Sequence, residues 1–208
     1  MKSVHFAKAL ILAGLLVGAT TMASAHDGII PGVKSALQQA NTELDAAEHQ
    51  LTTGNLTLSS DDEHAPKAEI TPQDRLLIEG QPVSLDGTQQ AYLHDYRVQV
   101  IAIGLDGIRI GRRGTEIGMH AVGPMILKAL FGADDDSIER EMQEKLAPIQ
   151  QDVLKLCDRL PALMASERQL AAALPAFKPY ANMHEDDIDD CREEALDLSS
   201  ATASSAKR

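Results

Sequence analysis

Apolar and polar positions along the chain change period three times, and each change marks a different element. Val33, Leu37, Leu44, Ala47 and Leu51 fall near helical spacing, and Gly54 stands just past them as a stop, so residues 33–51 read as a helix. Asn55 to Pro66 is polar and mixed, with a short candidate strand at Leu56-Thr57-Leu58. From Ala68 the apolar runs become short and are split by turn residues. Ala68-Glu69-Ile70-Thr71, then Pro72-Gln73-Asp74, then Leu76-Leu77-Ile78, Glu79-Gly80-Gln81 and Pro82-Val83-Ser84-Leu85 predict a small antiparallel meander. Pro82 suits an edge strand, because it brings no N–H to a ladder.

At Asp86 the period becomes helical again. Asp86 with Gln89 fits a capping box. Apolar or small residues then recur at alternating gaps of three and four: Leu93, Tyr96, Val100, Ile103, Gly107, Ile110, Gly114, Ile117 and Ala121. Beside this seam runs a second row, Gly104, Gly111 and Gly118, one per heptad. Glycine inside a helix costs about 1 kcal/mol relative to alanine. Five such residues require a compensating gain, and close approach of a neighbouring helix supplies one. A hairpin turning at Asp106-Gly107 is the competing reading of 100–118. The unbroken heptad phase from Leu93 favours the helix.

Gly132 ends this element, and Asp134-Asp135-Asp136-Ser137 opens the next, with Asp136 and Glu139 at capping-box spacing. Its seam runs Ile138, Met142, Leu146, Ile149, Val153, Leu156, Leu160, Leu163, Leu170 and Leu174. Pro148 and Pro161 should kink or divide it. The expected fold class is α+β and mostly helical: a small antiparallel β-hairpin or meander plus a long antiparallel helical pair, the leucine seam lying against the glycine–isoleucine seam. The expected divisions are 26–66, an N-terminal helical segment and loop; 67–86, the hairpin; 87–175, the helical hairpin; and 176–208, an acidic segment whose last residues form a disordered tail.

Residues 1–25 carry a different signal. Lys2 and Lys8 precede the apolar run Ala9 to Ala19, and Ala23-Ser24-Ala25 has the small–x–small form read by a signal peptidase. The run is short of the roughly 20 residues that span a bilayer. Cleavage after Ala25 and delivery to the periplasm are expected. In that oxidising compartment the only two cysteines, Cys157 and Cys191, favour a disulfide over two free thiols. No CxxC pair supports a redox role.

Composition narrows function further. The 208-residue chain carries 31 acidic and 19 basic residues, a net charge of −12, which argues against a nucleic-acid binder. Aromatics are 3%, so stacking platforms are not expected. The one basic island, Arg109, Arg112 and Arg113, shares a helix face and could meet lipid headgroups or an acidic partner, or pair with the protein's own acids. Together with Asp106 and Glu116 it makes insertion of this segment into a bilayer costly. His184, Glu185, Asp186 and Asp187 are the densest group of candidate metal ligands, although a solvated acidic face has the same pattern. His26 would become the mature N-terminus, where an amine and an imidazole can chelate copper. His94, Asp95 and Tyr96 are adjacent and so point to different faces. No nucleophile elbow, zinc-protease motif or phosphate loop occurs, so no catalytic residue and no cofactor is expected.

The leader, the stretch Ala68-Glu69-Ile70-Thr71-Pro72-Gln73-Asp74 before Val83-Ser84-Leu85, the helix bearing Tyr96, and Leu156-Cys157-Asp158-Arg159-Leu160 together resemble the YggN-like family of Gram-negative periplasmic proteins. The match is best over 68–103 and returns around 150–174. The family is a domain of unknown function, so the resemblance implies a periplasmic address and no site residues. Two readings follow: a non-catalytic envelope module that binds another envelope protein or itself, and a periplasmic metal-binding protein using His184 and its acidic neighbours, or His26.

Overall fold

The computed structural model describes residues 29–130 and 135–197; side chains are described for 32–118, 140–141 and 143–197. The leader with His26, the Asp136–Glu139 capping pair and the tail from Ser199 lie outside the described residues or side chains.

Helix α1 (Ile29–Thr53) extends beyond the expected 33–51 at both ends. Pro31 falls in its first turn, where a missing N–H is harmless. At the other end Gly54 N–H donates to the Gln50 carbonyl at 2.8 Å. A side chain at Gly54 would collide with that carbonyl, which explains the glycine stop. Strands β1 (Leu56–Leu58), β2 (Ala68–Ile70), β3 (Leu76–Ile78) and β4 (Gln81–Pro82) form an antiparallel meander in sequence order. Leu56 pairs with Ile70 and Ile70 with Leu76, so all three point to one buried face. Glu79 and Gly80 both adopt positive φ, 50° and 76°, the backbone of a type I′ hairpin turn. Pro82 sits on the edge strand, as its missing N–H requires.

Helix α2 (Gly87–Leu130) is continuous through Asp106-Gly107, so the heptad reading holds and the hairpin alternative does not. Its capping box is complete. Asp86 Oδ1 accepts from the Thr88 and Gln89 N–H groups at 2.8 Å, and Gln89 Oε1 accepts from Asp86 N–H at 3.0 Å. The leucine seam divides into α3 (Asp135–Cys157) and α4 (Leu160–Ala173). Pro148 stays inside α3, whereas Pro161 occupies the first turn of α4 and marks the break. A 3₁₀ turn (Pro175–Tyr180) and α5 (Glu185–Asp197) complete the described chain.

The expected packing of the glycine row is corrected here. Gly104, Gly111 and Gly118 face α1, not the leucine seam. A Cβ on each would meet Leu51, Leu44 and Leu37 respectively, at 2.5, 3.2 and 3.2 Å. Sequence numbers rise on α2 as they fall on α1, so the two helices are antiparallel. Gly107 and Gly114 were expected to share this role, but nothing among the described residues lies within 4 Å of a Cβ at either. The α3–α4 hairpin joins α2 on another side, through Arg113 to Asp152 and Asp106 to Arg159. At 100° per residue, the Gly107–Gly114 strip falls between those two sides.

The core gathers around the first five turns of α2. Leu93, Tyr96 and Ile103 are buried against the sheet, α4 and the 3₁₀ turn. Tyr96 meets Phe177 edge-on at 5.2 Å between ring centroids. The Tyr180 hydroxyl donates to the Pro66 carbonyl at 2.6 Å and pins the 3₁₀ turn to the sheet. Cys157 and Cys191 are bonded, S–S 2.06 Å, as expected, and tie the end of α3 to α5.

The two kinds of glycine separate in a substitution series. Gly107→Ala should stabilise the fold by about 1 kcal/mol, because it relieves a helix-interior glycine in open space. Gly104→Val should destabilise by roughly 1–3 kcal/mol, because it drives into Leu51. Urea denaturation of both variants checks the contrast. Cys157→Ser with Cys191→Ser should lower stability by about 4 kcal/mol, from the closure entropy of a loop of 34 positions, measured the same way under oxidising conditions.

Candidate functional site

The densest polar group among the described residues lies where the β2–β3 turn crosses the start of α2. Thr71 folds this turn. Its N–H donates to the Arg75 carbonyl at 2.9 Å, and its hydroxyl accepts from Arg75 N–H at 3.2 Å. Asp74 is thereby held at φ 55°, a left-handed conformation that aspartate tolerates better than most residues. The Gln90 amide donates to the Asp74 carbonyl, and His94 Nδ1 donates to Asp74 Oδ2 at 2.8 Å. One turn further along α2, Arg97 Nη1 lies 3.9 Å from Asp74 Oδ1. The His94 side chain is half exposed, and the Arg97 side chain is only 10% exposed. Gln90, His94 and Arg97 sit four and three residues apart, so the helix presents them along one face. The arrangement orients an imidazole and buries a cation, but no hydroxyl or thiol nucleophile is bonded to His94.

A second buried group sits on α4. Glu167 is 2% exposed, and its Oε2 accepts the Met183 N–H at 3.1 Å, which fixes the strand of chain leading into α5. Burial pushes this carboxyl above the usual carboxylate range, and the backbone N–H groups of Met183 and Asn182 offset only part of that. Burial also pushes the Tyr96 hydroxyl up, with the Glu167 charge adding to the effect.

The residues singled out in the sequence do not converge. Arg109, Arg112 and Arg113 form no free basic patch. Arg112 binds Asp45 at 2.7 Å and also Glu48 on α1, Arg113 binds Asp152 on α3, and Arg109 binds Asp106 at 2.6 Å. Their shared face is divided between two neighbouring helices, each supplying acids. His184, Glu185, Asp186 and Asp187 form no metal centre either. Asp187 is buried and turns back to accept the His184 N–H at 2.7 Å, a cap for α5, while Glu185 lies 3.6 Å from Arg168. Among the described residues no three His, Cys, Asp or Glu side chains are placed to hold a metal ion. Also among the described residues, no helix is long and apolar enough to cross a membrane.

Sequence reasoning passed over Asp74, Arg97 and Glu167. One signal was present: Arg97 occupies the position seven residues before Gly104, on the same row as Gly111 and Gly118. A charged residue on a row that is otherwise glycine marks a buried cation. Glu167 had no such signal, because its burial comes from the return of the chain after Pro175.

No family model, curated protein or solved structure matches this chain. The site therefore rests on its own geometry.

The raised Glu167 sets a pH dependence. The folded chain binds this proton at higher pH than the unfolded chain does. The group's contribution is therefore fully present below its ordinary value near 4.5 and declines as pH rises through the folded value. Glu167→Gln should flatten the stability profile in that window. Urea midpoints of both proteins from pH 4 to 8 measure it.

Proposed function

We propose that this chain is an exported, non-catalytic module of the cell envelope whose helix α2 docks a helix of a second copy or of another envelope protein. The observation that carries this reading is the contrast within one helix. Gly104, Gly111 and Gly118 are filled by leucines of α1, whereas Gly107 and Gly114 repeat the same seven-residue interval with open space above them. Each glycine costs about 1 kcal/mol that nothing among the described residues offsets. Close seating of an aliphatic side chain offsets it on the α1 side. A partner helix with large aliphatic residues one heptad apart would do the same on the open strip.

Export is supported by the leader pattern of residues 1–25 and by a buried disulfide, a bond that persists in oxidising compartments. The resemblance of residues 68–103 and 150–174 to the YggN-like family supports a periplasmic address. The absence of a catalytic motif and the dispersal of the candidate ligands favour a binding role over chemistry.

Light scattering on the chain from His26, with crosslinking in intact cells, tests the docking. A dimer or a crosslinked envelope partner is expected. Gly107→Leu with Gly114→Leu should abolish that association while helicity is retained, because no atom of the described residues lies within 4 Å of either Cβ position. A monomer with no crosslinked partner, or association unchanged in the double variant, overturns the reading.

A further inference from the structure

We propose that Arg97 is the receptor of a small oxyanion, a carboxylate or phosphate group, beside the β2–β3 turn. The guanidinium uses Nη1 toward Asp74, and its Nε and Nη2 nitrogens are buried with no hydrogen-bond partner among the described residues. Those two nitrogens form one edge of the planar group. Their N–H bonds run nearly parallel, at the spacing of two oxygens of a carboxylate or phosphate. Buried donors are almost always satisfied, and a fixed cation that is nine-tenths buried makes the demand stronger.

Asp74 does not meet it. Its Oδ2 is taken by His94, and its Oδ1, itself without a hydrogen bond, lies 3.9 Å from Nη1, beyond hydrogen-bond distance. Asp74 leaves one face of the cation neutralised and the other available. The turn beside the guanidinium is held to α2 through Asp74, by Gln90 to its carbonyl and His94 to its carboxylate. A flat two-oxygen face selects oxyanions over chloride, which offers a single spherical acceptor.

The test uses the chain from His26, melted at constant pH and ionic strength in sodium phosphate, sodium acetate or sodium chloride. Phosphate, acetate or both should raise the midpoint above that in chloride, increasing with concentration as binding to the native state requires. Whichever acts names the ligand class. In the ¹⁵N spectrum the Arg97 Nε–H resonance, identified by its loss in Arg97→Lys, should move and saturate over the same range. Arg97→Lys keeps a charge but lacks the two-donor edge, so the midpoint shift should vanish. If that variant does not fold, the Nε–H titration of the unaltered protein decides alone. Equal midpoints in all three salts, a shift that survives in Arg97→Lys, or an Nε–H resonance unmoved by either oxyanion overturns the proposal.

Discussion

Leu37, Leu44 and Leu51 each rest on a glycine of α2, and this contact sets how closely the first helix can approach the long one. Because α2 offers no side chain at those positions, a leucine can sit close to its backbone. The rest of the architecture follows from that approach. It fixes the register of α1, and β1 begins only three residues after α1 ends, so it also fixes where the sheet meets the start of α2. It places Asn41 against Thr115, whose hydroxyl donates to the Asn41 side-chain carbonyl at 2.7 Å. It also brings Asp45 and Glu48 within reach of Arg112.

Charge is managed by distribution. The chain has an excess of twelve acidic charges, yet its arginines are spent on internal junctions. Arg112 joins α1 to α2, Arg113 joins α2 to α3, and Arg159 reaches back from the α3–α4 break to Asp106. Each of these pairs is at least partly exposed and adds little to stability by itself. Their value is orientational, since each marks one helix-to-helix seam with opposite charges. Arg97 differs from all of them in burial and in having an edge left over.

Much of this was legible in residue order. The seven-residue rows, the Asp86 cap, the edge proline and the meander all express local rules of spacing and turn chemistry. Period alone could not say which neighbour fills the glycine row. The leucines of 37–51 and those of 138–174 share the same spacing, and only their geometry in three dimensions selects the former. The arginine island left open whether it met a partner or the protein's own acids for a related reason. A shared helix face is not a shared environment when two other helices flank it. Glu167 and the Asp74 group depend on chain return across many residues, which no local pattern encodes.

The bond between Cys157 and Cys191 closes a ring that contains all of α4, the 3₁₀ turn and the start of α5. Phe177 and Tyr180, which join the sheet to the helices, lie inside that ring. A protease that severs the backbone anywhere within it leaves the two pieces covalently joined and the aromatic contacts in place. Nicked at any connection between residues 158 and 190, the two fragments would still travel as one body.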